Sequence, residues 1–413
     1  MDNLKLKKDA EYIIKNSIAE MLPERAVKNA LSGFIFNGPV HMVAIGKAAY
    51  RMAEAACDHL GERIVSGLVV TKYGHAGASD RFKIIEAGHP VPDLNSVAAA
   101  SAALEIVNPL GRGDAVLLLI SGGGSALFEM PADGLTLGDV GRVTDRLLSC
   151  GADITEINAI RKKLSVVKGG GFAAAAYPAK VYSVILSDVL TDDPATIASG
   201  PACPDTGGVD ASGVIKKYGL TFDKKITERL ETKINVGPVD VVNVICGSVR
   251  ELCASAAKHA ERLGYETQIL TTSLGCEARE AGRFLGAIGR YIRRANNNNP
   301  RAVIAGGETT VTLKGAGLGG RNQELALAAA DEIAGLSGII IFSFGSDGTD
   351  GPTDAAGGIV DGGTKKNLAE RGLILSEILA DNDSYNGLKA CGGLIVTGPT
   401  GTNVNDVSVI LCG

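Results

Sequence analysis

Three aspartates crowd one loop of this chain. The segment Gly345-Ser346-Asp347-Gly348-Thr349-Asp350-Gly351-Pro352-Thr353-Asp354 follows directly on the apolar run Gly338 to Phe344. That run is short, β-branched and aromatic, the composition of a buried strand, and the glycines and Pro352 forbid helix immediately after it. Carboxylates at the C-terminal end of a strand stand where open α/β sheets bind ligands. An oxygen-rich loop there suits a hard cation holding phosphate, with Asp347 and Asp350 as its ligands. An Asx-rich surface turn reads the same segment equally well, because Asp and Gly are ordinary turn formers.

Four other segments could do chemistry. Gly46-Lys47 lies at a strand-to-helix turn, where free N–H groups and a lysine would jointly attract an anion. It is not a phosphate loop of the Walker type, since His41 and Ala48 stand where that pattern needs Gly and Ser or Thr. Ser121-Gly122-Gly123-Gly124-Ser125 reads as a cradle, because three glycines let main-chain N–H groups approach a phosphate or carboxylate that a Cβ would block. A nucleophile elbow at Ser125 would require glycine at position 127, which is Leu127. Asp188 directly follows a strand and reads as functional, whereas Asp192-Asp193-Pro194 reads as a helix cap. Gly315-Ala316-Gly317-Leu318-Gly319-Gly320 is a literal G-x-G-x-x-G between an expected strand, Thr309 to Leu313, and an expected helix, Asn322 to Ile333. The ribose-binding acid a dinucleotide fold wants about 20 residues on is late here, at Asp347, and Arg321 with its planar fork fits a clamp on carboxylate or phosphate better.

These segments need a frame. Strands are expected at Val40 to Ile45, Ile64 to Thr71, Lys83 to Glu86, Ala115 to Ile120 and Val181 to Ser187, separated by alanine-rich helical stretches. Alternation of that kind predicts a Rossmann-like, doubly wound, mostly parallel sheet. Around Val236-Gly237-Pro238 the pattern breaks, and a fresh βαβαβ unit is expected from Val241 to Ala305. The predicted division is therefore an N-terminal α/β domain over 1–235 and a smaller α/β domain over 236–413. Leu6, Ala10, Ile13, Ile14 and Ile18 mark an amphipathic helix at the start, unlike the continuous apolar core of a signal peptide. The tract Asn296 to Asn299 reads as an exposed connection.

Composition narrows the function. At 413 residues two cores are the natural prior, and 45% hydrophobic with 21% charged residues is an ordinary globular balance. A net charge of -5 without a basic tract argues against nucleic acid, and no apolar run is long enough to cross a bilayer. Eight scattered cysteines without C-x-x-C spacing suggest reduced thiols and neither a zinc site nor a disulfide framework, so the cytoplasm is the expected compartment. A homodimer is compatible with this composition.

Taken together, Val43 to Ala49, Val70-Thr71-Lys72-Tyr73-Gly74-His75, Gly88-His89-Pro90-Val91-Pro92-Asp93, Ser121 to Ser125, Gly306-Gly307-Glu308-Thr309-Thr310-Val311, Gly319 to Glu324 and Asp347 to Gly351 resemble the class II glycerate kinases, which carry a C-terminal MOFRL domain. The resemblance runs over the whole chain in order. It implies phosphorylation of D-glycerate by ATP, at the 2-hydroxyl, with a divalent cation such as Mg2+, by two α/β domains facing one cleft. It puts the family's lysine on Lys47 and its arginine on Arg321, with Asp188 the choice for orienting the hydroxyl. Nucleotide- and substrate-binding positions then fall on Gly46, Ser121, Gly122, Gly123, Gly124, Ser125, His89, Glu308, Gly319, Gly320 and Asn322. Ala316 and Leu318 depart from the basic residues often interspersed before that arginine. Two rivals stand beside this reading: an NAD(P)H-dependent hydroxypyruvate reductase, supported by G-x-G-x-x-G, and a non-catalytic sugar-acid binding protein.

Overall fold

The computed structural model describes residues 2–204, 209–232, 236–295 and 299–413. Among the described residues twelve strands run in chain order: β1 (Val40–Ile45), β2 (Ile64–Lys72), β3 (Lys83–Ala87), β4 (Ala115–Ile120), β5 (Lys180–Leu186), β6 (Val241–Gly247), β7 (Glu266–Leu274), β8 (Arg301–Gly307), β9 (Ile339–Gly345), β10 (Gly357–Asp361), β11 (Leu394–Ile395) and β12 (Asp406–Cys412). They form two six-stranded sheets, ordered β3-β2-β1-β4-β5-β6 and β11-β10-β9-β12-β8-β7.

In the first sheet the pairs β3–β2, β2–β1, β1–β4 and β4–β5 are parallel. The reason is visible in β4, Ala-Val-Leu-Leu-Leu-Ile, in which every residue is buried. A strand this apolar needs cover on both faces, which crossover helices supply. The helix Leu94–Val107 closes one face with Ala99, Ala100, Ala103 and Val107, and Phe128 and Phe172 fill the same core. The expected Rossmann-like sheet is present.

The second sheet is mixed. Only β7–β8 is parallel, while β8–β12, β12–β9, β9–β10 and β10–β11 are antiparallel. The helices expected between β6 and β8 form, at Val249–Arg262 and Ala278–Arg294, but the expected single βαβαβ unit does not: β6 extends the first sheet and only β7 and β8 enter the second. Thr309 to Leu313 is no strand beyond a lone bridge from Thr310 to Glu277.

The division into compact units differs from 1–235 and 236–413. One unit is Pro23–Cys246, and the shorter one joins Met1–Leu22 to Gly247–Gly413. The opening helix Asn3–Glu20 explains this. Its apolar stripe Leu6, Ala10, Ile13, Ile14 and Ile18 is buried as expected, but it packs on the helix Val249–Arg262. Tyr265 donates its hydroxyl to Asp9 at 2.7 Å, and Ser255 donates to Glu20 at 2.6 Å. Sequence position thus said nothing about which core the stripe would find. Most of the asparagine tract, 296–298, lies outside the described residues, and all eight cysteines are free thiols.

Ile13 is fully buried in that docking face, whereas Leu4 on the same helix is 63% exposed. Ile13→Ala is expected to cost about 2–5 kcal/mol of stability and Leu4→Ala less than about 0.5 kcal/mol. Urea unfolding of the two variants against wild type measures the difference.

Candidate active site

The order β3-β2-β1-β4-β5 reverses direction between β1 and β4, and open α/β sheets generally bind ligands at such a switch point. Here the loops after β1 and β4 are laced together. Ser121 N–H donates to Ile45 O at 2.9 Å, Lys47 N–H donates to Gly122 O at 2.9 Å, and Ala48 N–H donates to Ser121 Oγ at 3.0 Å. Gly46 holds φ +120° and lies against Ser121 so closely that a Cβ would overlap the serine hydroxyl. Only glycine fits.

The same lacing sets the side chains. A Cβ on Gly122 would collide with the Asp188 carboxylate, and one on Gly123, at φ +86°, would lie 3.1 Å from His89 Nε2 and 3.4 Å from Lys47 Cε. Four expected parts of the site, Lys47, His89, Asp188 and the glycine loop, therefore share one spot, because β1, β3, β4 and β5 all end there. The amides of Gly122, Gly123, Gly124 and Ser125 make no hydrogen bond among the described residues. Burial holds the His89 imidazole below its ordinary pKa, and the neighbouring Lys47, Lys72 and His75 push it the same way. Ser125 is different. Its hydroxyl turns inward to Ser199 at 2.9 Å, Ser199 donates to Asn158 at 3.0 Å, and Arg161 grips the Ser125 carbonyl at 2.8 Å. Asp193 accepts from the Ala195 amide and from the Thr196 hydroxyl and so closes a turn ahead of the short helix Ile197–Ser199, where a helix starting at Pro194 was expected.

A second polar cluster belongs to the other unit. Its organiser, Asp406, was missed in the sequence. Because β12 runs antiparallel, its first residue Asp406 pairs with Gly307 and Gly345, the last residues of β8 and β9. A signal existed in Asn403-Val404-Asn405-Asp406, a polar entry to an apolar run, but it carries weight only once β12 is known to run backwards. Arg321 Nε and Nη2 hold the two Asp406 oxygens at 2.5 and 3.2 Å, and Nη1 reaches Glu308 at 2.9 Å. The fork does grip a carboxylate bidentately, but one of the protein's own. Burial opposes the Arg321 charge, yet Asp406 and Glu308 outweigh it and hold its pKa above the ordinary value. Burial also pushes the Asp406 carboxyl up to about 6, with Arg321 opposing and Asp350 adding.

Several expected binding positions have other duties. Asp350 is buried, and its carboxylate accepts from the amides of Asn322 at 3.1 Å and Gln323 at 2.8 Å, capping the helix Arg321–Glu332. Asn322 is buried too, donating to Asp350 and accepting from Ser343 at 2.6 Å. A Cβ on Gly319 would overlap Ser384, and one on Gly320 would overlap Asp350, so those glycines serve close packing. Asp354 accepts from Tyr385 at 2.8 Å. Asp347 accepts from the Thr349 amide at 3.0 Å. Asp347 thus closes a turn and Asp350 a helix end. Among the described residues no three acidic, histidine or cysteine side chains converge as a metal would need.

The G-x-G-x-x-G is filled from within. Asn382 Oδ1 accepts from the Lys314 and Gly315 amides at 2.8 and 3.1 Å, Asp381 from Ala316 at 3.0 Å, and Asp383 from Leu318 at 2.9 Å. Amides that would cradle a pyrophosphate are already bonded to side chains of the chain itself. Within the expected strand before the motif, the Thr312 amide and hydroxyl donate to the Glu277 side chain at 3.0 and 2.9 Å and not to a neighbouring strand.

A doubly wound unit with Lys47 and a glycine loop at its switch point, joined in one chain to a mixed-sheet unit, defines a two-unit α/β class. Residues 9–231 match the model of a domain of unknown function, DUF4147, and residues 301–406 match the MOFRL family. D-glycerate 2-kinase of Thermotoga maritima is 49% identical over 98% of this chain and 98% of its own length. A putative hydroxypyruvate reductase of Agrobacterium vitis is 39% identical over 97% of this chain and 91% of its own. The crystal structure of the glycerate kinase of Thermotoga maritima superposes with a TM-score of 0.95 at 48% identity, covering 99% of this chain and 100% of that one. The chain belongs to the glycerate 2-kinase family with a C-terminal MOFRL domain, and it is an enzyme of the phosphotransferase class with an alcohol acceptor.

Two outcomes follow from this geometry. Gly122→Ala should displace the Asp188 carboxylate and cut turnover by about tenfold or more while leaving the thermal midpoint within a few degrees; steady-state kinetics and a thermal melt check both. Asp406 has a folded pKa near 6, above the ordinary carboxyl value near 3.9, so the stability it contributes is present below about 3.9 and is lost as pH rises through about 6. Relative to Asp406→Asn, wild type should thus lose up to about 3 kcal/mol between pH 4 and pH 6 and stay level above pH 7, which urea titrations across that range will read.

Proposed function

We propose that the protein transfers the terminal phosphoryl group of ATP to the 2-hydroxyl of D-glycerate, giving 2-phosphoglycerate and ADP. The divalent cation, Mg2+ in this reading, enters as part of the nucleotide complex. The observation that carries the proposal is the meeting of Lys47, His89, Asp188 and the unpaired amides of Gly122 to Ser125 at one switch point. Phosphoryl transfer requires mainly positioning and neutralisation of charge, and these are the groups that supply both. Lys47, exposed and without a side-chain partner among the described residues, neutralises charge on the group in flight. Asp188, against Gly122, orients the attacking hydroxyl. Arg321 has three N–H donors committed to Asp406 and Glu308, which leaves two of its five for a substrate carboxylate or phosphoryl oxygen.

The reductase reading draws on the Agrobacterium vitis relative, but the motif that would support nicotinamide binding has its amides occupied by Asp381, Asn382 and Asp383. The cytoplasm is the compartment we assign, on the strength of eight free thiols; no helix among the described residues is long and apolar enough to cross a membrane.

Incubation with ATP, Mg2+ and D-glycerate should yield 2-phosphoglycerate by phosphorus NMR, and excess EDTA should abolish it. Lys47→Ala should lower kcat by about 100-fold or more with a much smaller change in the KM for glycerate, because its contact strengthens in the transition state. Oxidation of NADH by hydroxypyruvate without any phosphoryl transfer would overturn the proposal in favour of the reductase.

A further inference from the structure

Charge is distributed unevenly along the carboxyl edge of the parallel sheet. Reading across it, β3 leads to His89, β2 ends in Lys72 and turns to His75, β1 leads to Lys47, β4 to the glycine loop and β5 to Asp188. Four basic side chains thus occupy three neighbouring strand ends, and the carboxylate stands on the opposite flank. Lys72 pairs with Ala87 in the β2–β3 register, two residues before His89, and Thr71 beside it reaches back to the Lys47 carbonyl. The side chains of Lys47, Lys72, His75 and His89 have no hydrogen-bond or ion-pair partner among the described residues. The acids Glu86 on β3 and Asp93 at the start of the helix Leu94–Val107 are already hydrogen-bonded. Glu86 accepts from the amides of Gly74 and Ala76, and Asp93 from the Tyr73 hydroxyl at 2.6 Å and the Ser96 amide at 3.0 Å.

Two lysine charges with two imidazole donors beside them exceed what a carboxylate, which brings one charge, can use. Such an array suits a chain of phosphates, which brings several. Strands lie about 4.8 Å apart, so the ends of β1 to β3 span about 10 Å, a distance that several linked phosphates can cover. Asp188 would repel phosphate oxygens but accept a bond from a hydroxyl, which separates the two substrates along the edge.

We propose that the triphosphate of ATP lies along the carboxyl ends of β1, β2 and β3, with Lys72, His75 and His89 on the two phosphates retained by ADP, while the acceptor hydroxyl enters from the β5 side. Lys72 and His75 are thereby nucleotide-binding residues of the first unit. This placement rests on the kinase reading above.

The test compares wild type with Lys72→Met, Lys72→Arg and His75→Gln. Inorganic tripolyphosphate is titrated by calorimetry, and KM values are measured separately for ATP and D-glycerate. Lys72→Met should weaken tripolyphosphate and raise the KM for ATP by about tenfold, the loss of one charge-assisted contact, with the KM for glycerate within about twofold of wild type. His75→Gln should move the same quantities by a few-fold, and Lys72→Arg should restore most of the loss. A rise in the KM for glycerate with ATP unaffected, or wild type that binds no tripolyphosphate, overturns the placement. Phosphoryl transfer that persists with tripolyphosphate affinity unaltered in the variants would sink the placement and leave the kinase reading standing. Lys72-dependent tripolyphosphate binding without any phosphoryl transfer would do the reverse.

Discussion

The first unit depends on how closely the loop after β1 can approach the loop after β4. Gly46, held at φ +120°, presses its missing Cβ against Ser121, and the neighbouring backbone bonds from Lys47 to Gly122 and from Ser121 to Ile45 fix both turns at once. Any side chain at position 46 would pry them apart. Because each loop continues into residues that meet the other, one contact sets Lys47, the glycine amides and, through Gly122, the Asp188 carboxylate. Backbone strain lies nearby: Ala198 and Ser199 both hold positive φ, near +52° and +59°, with the Ala198 methyl against Gly124. Buried hydrogen bonds from Ser199 to Asn158 and from Gly169 to the Ser199 carbonyl hold that conformation in place.

The second unit solves its problem by reversal. β12 runs antiparallel between β8 and β9, so its amino end lies with their carboxyl ends and Asp406 joins Glu308 and Arg321. Three carboxylates, those of Glu308, Asp350 and Asp406, surround one guanidinium, and burial drives two of them toward the protonated form. Arg321 is thus held in place by three bonds to the protein's own carboxylates. Its geometry is set during folding.

Two sequence motifs that look like ligand cradles part company for a simple reason. Free amides attract anions, and the chain can supply the anion itself. Around Ser121 to Ser125 the amides find no partner among the described residues, whereas from Lys314 to Leu318 the segment Asp381-Asn382-Asp383 fills the positions it can reach. No local pattern distinguishes the two cases, because the filling segment lies more than sixty residues away along the chain.

The sequence by itself determined much of this protein. Apolar runs such as Ala115 to Ile120 can only be buried strands, the stripe from Leu6 to Ile18 can only be a docked helix, and three glycines after β4 admit an approach that side chains would block. Those are local consequences of burial and sterics, so Gly46, Lys47 and Asp188 were legible at the ends of recognisable strands, whereas His89 was pointed to only by the family resemblance. Tertiary structure alone decided which core received the opening helix, which sheet received β6, that Asp350 caps a helix, and that Asp406 belongs beside Arg321. Each of these turns on strand direction or on a partner distant in sequence, and hydrogen bonds between distant segments leave no periodic trace in the residues that make them.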